Sequence, residues 1–249
     1  MGARPVTPII MIPARMASQR LPGKPLADIH GEPMIVHVWR RAMESGVGPA
    51  IVAAGEAEIA DAVTEVGGQA VLTDTDLPSG SDRILAALET FDQDGRFDVV
   101  VNLQGDLPTL DPHLIATAVA TLEESGADIA TLACRTESPE ERINPNVTKA
   151  VVAWDETGDQ GRALYFTRAE APSGEGPVYH HIGLYAFRRD ALARFVALPA
   201  SPLEQREKLE QLRALEADMT IAVARVDTIP LGVDTAEDLE RARALLATS

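Results

Sequence analysis

Short apolar runs alternate, in the first half of the chain, with segments whose apolar residues recur every three or four positions. The runs "PIIMIPA", "AIVAA", "AVLT", "DVVVNLQGD" and "DIATLACR" have the unbroken apolar character of strands buried on both faces. Between them, "GEPMIVHVWRRAMES", "EIADAVTEVGG", "SDRILAALETF" and "PHLIATAVATLEES" have helical spacing. The third helix is expected to open at Ser81 or Asp82. This alternation predicts a doubly wound α/β sheet of Rossmann-like type, with helices on both faces.

The pattern changes from about Asn146. "VTKAVVAW", "HHIGLYAFR" and "TIAVARV" predict strands, "SPLEQREKLEQLRAL" and "TAEDLERARALL" predict helices, and the Gly/Pro-rich "APSGEGP" predicts a loop. A chain of 249 residues is within the range of one large domain. We therefore expect a single domain over residues 1–249, in which residues from about 147 to 230 form a mixed extension of the same sheet.

Charge and cysteine content narrow the possible functions. The chain has 38 acidic against 22 basic residues and a formal net charge of −16, which argues against a general nucleic-acid binder. The single cysteine, Cys134, lies in an apolar run and is expected to be a buried thiol, which suits a reducing compartment. The apolar run at residues 9–12 is too short for membrane insertion or for a signal peptide. We expect a cytoplasmic protein.

The first candidate site is the loop that follows the first strand, "IPARMASQRLPGKPL". It carries Arg15, Arg20 and Lys24, and no acidic residue precedes Asp28. Arginine offers a fork to phosphate oxygens and lysine a compact charge, each worth about 4 kcal/mol per close pair at moderate dielectric. The loop matches neither the Walker A pattern nor the G-x-G-x-x-G fingerprint. Phosphate binding is the favoured interpretation, and a solvated basic loop is the alternative.

The second candidate is "VVVNLQGDLP", a predicted buried strand that ends in Gln104 and Asp106. Ligands of open α/β sheets bind beyond the carboxyl ends of the strands, where the first loop is also expected. Mg²⁺ prefers one or two carboxylates together with substrate phosphates, so Asp106 is a candidate ligand. A turn aspartate that bonds its own backbone is the equal alternative.

The third candidate lies near the C-terminus, in "PLGVDTAEDLERARALL". Thr235 and Asp238 have the spacing of a capping box, which would leave the Asp234 carboxylate just outside the helix. The alternative is that Asp234 itself caps the helix, with Glu237 three residues on.

Two further segments carry candidate polar groups. Because side chains alternate along a strand, His181 and Tyr185 of "YHHIGLYAFR" should share one face, with His180 on the other. Together with Arg168 of "YFTRAE" they could bind hydroxyls and a carboxylate, although a structural histidine is the commoner case.

The segment "SPLEQREKLEQLRAL" shows a helix start at Ser201, Pro202 and Glu204. Its i,i+4 pairs Glu204/Lys208 and Arg206/Glu210 indicate a solvated helix face.

The order of these motifs closely resembles that of the CMP-Kdo synthetases, the 3-deoxy-manno-octulosonate (Kdo) cytidylyltransferases of lipopolysaccharide biosynthesis. The motifs are "PARMASQRLPGKPL", "SGSDR", "NLQGDLP", "NPNVTKAVV", "ALYFTRAEAP", "HHIGLYAFR", "SPLEQREKLEQLRAL" and "GVDTAEDLERAR". The resemblance runs from about Ile9 to Arg243. It implies a fold of the nucleotide-diphospho-sugar transferase type, CTP and Kdo as substrates, Mg²⁺ as cofactor and a homodimer formed through strands of the second half.

The resemblance also implies a site. The residues that match the nucleotide-binding positions are Ala14, Arg15, Arg20, Lys24, Ser79, Gly80, Arg83 and Asp106. Those that match the sugar-acid pocket are Gln104, Arg168, His181, Tyr185, Glu210 and Gln211, with Arg168 facing the carboxylate. Asp106 and Asp234 match the metal ligands, and Lys24, Arg15, Asp106 and Asp234 are the residues expected to carry catalysis. The Kdo 2-hydroxyl would attack the α-phosphorus of CTP, and pyrophosphate would leave.

The chain departs from the family's usual pattern at four places. Leu107 follows the Q-G-D where an acid is usual, Ala54-Gly55-Glu56 replaces a T-D-D-like turn, and Leu77-Pro78 replaces a histidine-glutamine pair. The connection from Arg168 to His180 is short. These departures leave two alternatives open: the same chemistry on 8-amino-Kdo or a sialic-acid-like sugar, or a non-catalytic CTP-binding regulator.

Overall fold

The computed structural model describes residues 6–18 and 20–247, which fall into two compact units. Unit 1 is Met1–Ala116 with Pro230–Ser249, and unit 2 is Thr117–Ile229. The strands of unit 1 are β1 Pro8–Ala14, β2 Asp28–Ile29, β3 Glu32–Pro33, β4 Ala50–Ala54, β5 Gln69–Leu72 and β6 Val99–Asn102. Its helices are α1 Met34–Glu44, α2 Ala57–Glu65, α3 Gly80–Phe91 and α9 Ala236–Leu246, with a 3-10 turn at Lys24–Leu26.

Helix α4, His113–Ser125, contains the division between the units. The strands of unit 2 are β7 Ile129–Thr136, β8 Lys149–Trp154, β9 Gln160–Thr167, β10 Val178–Arg188 and β11 Ile221–Val226. Its other helices are α5 Pro139–Ile143, α6 Arg189–Ala197, α7 Pro202–Glu207 and α8 Leu212–Glu216.

The main sheet of unit 1 is parallel, in the order β5-β4-β1-β6. Strands β1, β4 and β6 are almost wholly buried, as their unbroken apolar sequences predict. After β1 the chain moves outward to β4 and β5, and it then returns to place β6 on the other side of β1. The loops that follow β1 and β6 therefore diverge at this point, which is where α/β sheets bind ligands.

A small hairpin and the C-terminal helix close unit 1. Strands β2 and β3 pair through His30 and Gly31, both with positive φ (54° and 87°), as a tight two-residue turn requires. A core cluster joins this hairpin to α9; its buried members are Ile29, Met34, Val233, Leu239 and Ala242. This packing brings the residues just before α9 to the loop that follows β1, although more than 200 positions separate them in the sequence.

The sheet of unit 2 is mixed, in the order β10-β7-β11-β9-β8. Only β7 and β11 run parallel; the other neighbours are antiparallel, and β10 also pairs with β8 at His180 and Lys149. Strand β10 carries a bulge between Ile182 and Tyr185. The buried Thr131 hydroxyl lies beside that bulge, 3.1 Å from the Ile182 carbonyl oxygen and 2.8 Å from that of Leu184.

Two helix predictions were wrong in detail. Helix α3 starts at Gly80, and its cap is Ser79 in place of Ser81 or Asp82. The segment from Ser201 is two short helices, because Lys208 adopts a left-handed conformation (φ 59°) that ends α7. The capping box of Ser201 and Glu204 is confirmed. Glu204 binds Arg213 beyond the break, with N–O distances of 2.6 and 2.9 Å.

Cys134 is a free, buried thiol, as predicted, and burial raises its pKa. Across residues 6–18 and 20–247, no helix has both the length and the apolar character needed to cross a membrane. The single domain over residues 1–249 and the extension over residues 147–230 stay predictions.

Candidate active site

A cavity of about 280 Å³ opens in unit 1 at the carboxyl ends of β1 and β6. Its walls come from the loop after β1, the start of α3 and the turn after β6. The lining residues are Pro13, Ala14, Arg15, Ala17, Ser18, Lys24, Pro25, Ser79, Gly80, Arg83, Gln104, Gly105 and Asp106. Seven of the eight predicted nucleotide-binding residues are among them; Arg20 is the exception.

Two of the three cations in the loop after β1 are paired with acids from distant parts of the sequence. The Lys24 ammonium lies 2.7 Å from Asp106 Oδ2 and 3.2 Å from Asp234 Oδ1. The Arg20 guanidinium lies 3.0 Å from Asp234 Oδ2. Arg15 is exposed, and within the described part of the chain its guanidinium has no carboxylate partner. The structure thus brings Lys24, Asp106 and Asp234 to one point.

The Lys24 side chain is the most buried member of this group, at 16% exposure against 28% for Asp106 and 44% for Asp234. Burial by itself lowers the pKa of Lys24, but Asp106 and Asp234 outweigh burial and raise that pKa above its ordinary value. Lys24 is therefore a permanent cation at the cavity wall. The Lys24 ammonium thus lies where the Asp106 and Asp234 carboxylates converge. Because carboxylate oxygens are the ligands that Mg²⁺ prefers, the same two side chains are candidate metal ligands.

Local capping and one backbone bond place Asp234. The Val233 N–H donates to the Asp106 carbonyl oxygen at 3.0 Å, which joins the two acidic segments directly. Thr235 and Asp238 form a complete capping box at the start of α9. Of the two alternatives left by the sequence, Thr235 is the cap and Asp234 lies outside the helix, so the Asp234 carboxylate can face Lys24 and Arg20.

Thr235→Ala should therefore loosen the Asp234 position as well as the helix start. We expect the free energy of unfolding to fall by about 1 kcal/mol, the usual loss for an N-cap hydroxyl. Urea unfolding measures that change. Thr64→Ala, at an exposed position near the end of α2, is the matched control and should change the free energy less; equal losses for both would contradict the prediction.

The turn after β6 depends on a glycine. A Cβ at Gly105 would lie 2.8 Å from the Pro13 carbonyl oxygen, so only glycine fits this close approach of the two loops. The Gln104 side chain donates to Asn102 Oδ1 at 3.3 Å. The turn therefore holds Asp106 against the end of β1.

Residues of the "SGSDR" segment line the cavity and also stabilise the local structure. The Ser79 hydroxyl oxygen accepts the N–H groups of Ser81 and Asp82 and so caps α3. Arg83 is only 2% exposed. Its guanidinium donates to Thr73 Oγ1 and to the carbonyl oxygens of Asp74 and Thr75, at 2.5, 2.9 and 3.2 Å.

Unit 2 contains most of the predicted sugar-acid residues, and Arg168 is held there by carbonyl groups. It donates to the carbonyl oxygens of Glu207, Pro145 and Lys208, at 2.9, 3.1 and 3.4 Å. Those bonds use three of the five N–H donors of a guanidinium, so two remain for a ligand. The Glu207 carboxylate also accepts the Arg168 backbone N–H at 3.0 Å.

A buried lysine supports the same segment. Lys149 is fully buried, and its ammonium donates to the carbonyl oxygens of Asn144, Val147 and Arg168 at 2.8, 2.7 and 2.7 Å. All three of its donors are satisfied, which compensates for burying the charge. Burial nevertheless lowers the pKa of Lys149, and Arg168 lowers it further.

His181 and Tyr185 share one face, as predicted, with ring centroids 5.5 Å apart. His181 is buried beside Phe166, and its Nε2 lies 3.0 Å from the Thr131 hydroxyl. Burial lowers the pKa of His181 to about 3, with His180 as a smaller cause, so His181 is neutral at physiological pH. Burial, with Glu210 as a second cause, raises the pKa of Tyr185. Both side chains can form neutral hydrogen bonds.

The buried histidine predicts a specific acid sensitivity. Between pH 6.5 and 3 the unfolded chain protonates His181 and the folded chain does not, so this stability contribution is complete above pH 6.5 and falls as the pH falls. Urea unfolding of the wild type and of His181→Asn measures it. The difference in unfolding free energy between them should shrink by about 1 kcal/mol per pH unit below pH 6. Parallel pH dependences would contradict the prediction.

Comparison with known proteins decides the family. The cytidylyltransferase family profile matches residues 9–221. A 3-deoxy-manno-octulosonate cytidylyltransferase of Parvibaculum lavamentivorans is 69% identical over 240 residues, which are 96% of this chain and 93% of that protein. One from Rhodospirillum rubrum is 68% identical over 240 residues, 96% of this chain and 95% of that protein. The chain belongs to the 3-deoxy-manno-octulosonate cytidylyltransferase family.

A solved structure supports the family's fold. It is a CMP:2-keto-3-deoxy-manno-octonic acid synthetase complexed with CTP, with a TM-score of 0.88 and 38% sequence identity, covering 97% of this chain and 99% of that chain. The α/β fold and the family that the motifs predicted are both confirmed.

The site residues predicted from the motifs belong to both units. Unit 1 contains all predicted nucleotide and metal residues together with Gln104, and unit 2 contains Arg168, His181, Tyr185, Glu210 and Gln211. Gln211 is buried, at the start of α8. The roles of these residues stay predictions of the resemblance.

Site segments are also held in place by residues for which the sequence predicted no role: Glu56, Lys149, Glu207 and Thr131. One signal was available for Lys149, since a lysine inside a predicted strand must find partners when it is buried.

Proposed function

We propose that the protein transfers CMP from CTP to the 2-hydroxyl of Kdo, with Mg²⁺ as cofactor, and so serves lipopolysaccharide biosynthesis. The observation that carries the proposal is the convergence of Lys24, Asp106 and Asp234 beside the cavity in unit 1. The relatives' names and the CTP complex of the related synthetase add to it.

The reaction brings two anions together, a triphosphate and a sugar acid. The hydroxyl oxygen of Kdo forms a bond to the α-phosphorus of CTP and its proton is released to solvent. The bond from that phosphorus to the bridging oxygen breaks, and pyrophosphate leaves with the electron pair. Phosphoryl-type transfer needs little covalent work from the protein, so positioning and charge neutralisation dominate. Lys24, Arg20 and the exposed Arg15 supply positive charge for the phosphates.

The donor set fits Mg²⁺. Within the described part of the chain, no group of three or more His, Cys, Asp and Glu residues is arranged to hold a metal, so a dedicated protein cage is absent there. Two carboxylates with substrate phosphates are the arrangement that Mg²⁺ favours, and Asp106 and Asp234 would hold it. When bound, Mg²⁺ neutralises phosphate charge and lowers the pKa of a coordinated hydroxyl.

For the sugar acid we propose the second set of residues. Arg168 would bind the carboxylate through its two remaining donors, and neutral His181 and Tyr185 would bind hydroxyls, with Gln104, Glu210 and Gln211 completing the set. Three of the Arg168 donors already form hydrogen bonds to carbonyl groups, so the guanidinium is fixed in orientation before a ligand binds.

The test is product formation from CTP and sugar acids. Kdo with CTP and Mg²⁺ should give CMP-Kdo and pyrophosphate, followed by mass spectrometry, and chelation of Mg²⁺ should abolish turnover. 8-Amino-Kdo and a sialic acid are assayed in parallel as acceptors under equal conditions. Faster turnover of either would reassign the acceptor. CTP binding without product from any acceptor would indicate a CTP-binding regulator.

The assembly and location are also proposals. We propose a cytoplasmic homodimer that uses second-half strands, as the family resemblance implies. Light scattering of the purified protein measures the oligomeric state, and a monomer at micromolar concentration would refute the dimer.

A further inference from the structure

The turn after β4 forms hydrogen bonds to the main chain on both sides of Arg15. The Gly55 N–H donates to the Ala14 carbonyl oxygen at 2.9 Å. On the other side, the Met16 N–H donates to Glu56 Oε2, also at 2.9 Å. The residue between these two bonds is Arg15, the cation of the cavity wall that has no carboxylate partner in the described part of the chain.

Glu56 makes its contact across the fold and not within its own helix. It is the residue before α2, with the extended backbone (φ −129°, ψ 152°) of an N-cap, yet its side chain makes no capping bond. An N-cap side chain usually accepts an N–H of its own helix. Here the carboxylate is instead committed to a residue 40 positions earlier.

Gly55 gives the two nearby arginines room. A Cβ at this position would lie 3.0 Å from Arg83 Nη1 and 3.4 Å from Arg15 Cβ. Burial lowers the pKa of Arg83; Glu56 raises that pKa, and Arg15 lowers it. Arg83 therefore lies within electrostatic reach of both Glu56 and Arg15 at this turn.

We propose that Glu56 is a positioning residue for Arg15: together with Gly55 it fixes the main chain around Arg15 and so aims that guanidinium at the phosphates of the nucleotide. The inference rests on the proposed function, because it needs CTP in the cavity of unit 1. It also accounts for the Ala54-Gly55-Glu56 departure, since the glycine admits both arginines and the glutamate reaches the Met16 N–H.

Three variants separate this role from a general effect on the fold. Glu56→Ala removes the acceptor, Glu56→Gln keeps an acceptor oxygen at the same reach, and Glu56→Asp keeps the charge but is one methylene too short. Glu58→Ala, at an exposed position in the first turn of α2, is the matched control. Calorimetry measures CTP affinity, steady-state assays give kcat and KM, and thermal unfolding gives Tm.

We expect Glu56→Ala to raise the Kd and KM for CTP about tenfold, with kcat within about threefold of wild type, as for the loss of one hydrogen bond. Glu56→Gln should stay within about threefold of wild type because the bond survives. Glu56→Asp should resemble Glu56→Ala, and Glu58→Ala should resemble wild type. The pattern is specific, because a merely structural role would move Tm without splitting KM from kcat.

The proposal is overturned if Glu56→Ala binds CTP within twofold of wild type, or if Glu58→Ala loses as much affinity. Should Glu56→Ala fail to fold, Glu56→Gln and Glu56→Asp decide: tight binding by the first and weak binding by the second supports the role, and any other order refutes it. Wild-type protein that binds no CTP would instead refute the proposed function.

Discussion

Replacing Asp106 with asparagine should lower kcat for CMP-Kdo formation by about a hundred- to a thousandfold, a loss typical of removing one electrostatic contact to the reacting group. Asparagine keeps the size of the side chain but withdraws the negative charge that holds Lys24 and would hold Mg²⁺. The side chain is 28% exposed and is not part of a hydrophobic core, so the chain should fold normally. Steady-state assays with CTP and Kdo measure the rate, and circular dichroism with thermal unfolding checks the fold.

Asp61→Asn is the matched control for that variant, since it removes an exposed charge from α2. Its kcat should equal that of the wild type. If Asp106→Asn turned over at a near-normal rate while remaining folded, neither the metal role of Asp106 nor its charge would be needed for the reaction.

Lys24→Met should produce the second large effect. Methionine keeps the length of the stem but removes the permanent cation from the cavity wall, so CTP affinity and kcat/KM should each fall by about a hundredfold. The loss also leaves Asp106 and Asp234 facing each other without the ammonium between them. Calorimetry with CTP alone measures binding apart from chemistry.

Arg241→Met is the control, because it removes one mostly exposed cation from α9 that is not among the residues lining the cavity. It should bind CTP as the wild type does. If Lys24→Met bound CTP within threefold of wild type, Lys24 would not bind the triphosphate and would serve only as the ion-pair partner of the two aspartates.

Local patterns were enough to predict the main strands and helices of the first half, and to offer Thr235 as one of two possible caps for the last helix. The short apolar run of β1 is bounded by prolines and so indicated a buried strand, and the capping box at Thr235 depends on residues three positions apart. The helix over residues 201–215 was mispredicted because its spacing is helical throughout. Lys208 nevertheless turns left-handed, and Glu204 pairs with Arg213 across the break.

The sequence by itself determined the α/β class, the family and the residue types of the site, because these depend on local periodicity and on motif order. Tertiary structure decided which charges meet. The cationic loop has no acid in its own segment, and its partners come from 82 and 210 residues away, brought there by the packing of α9 and by the Val233–Asp106 bond. It also decided the part played by Glu56, since a hydrogen bond between residues 40 positions apart leaves no periodic trace in the chain.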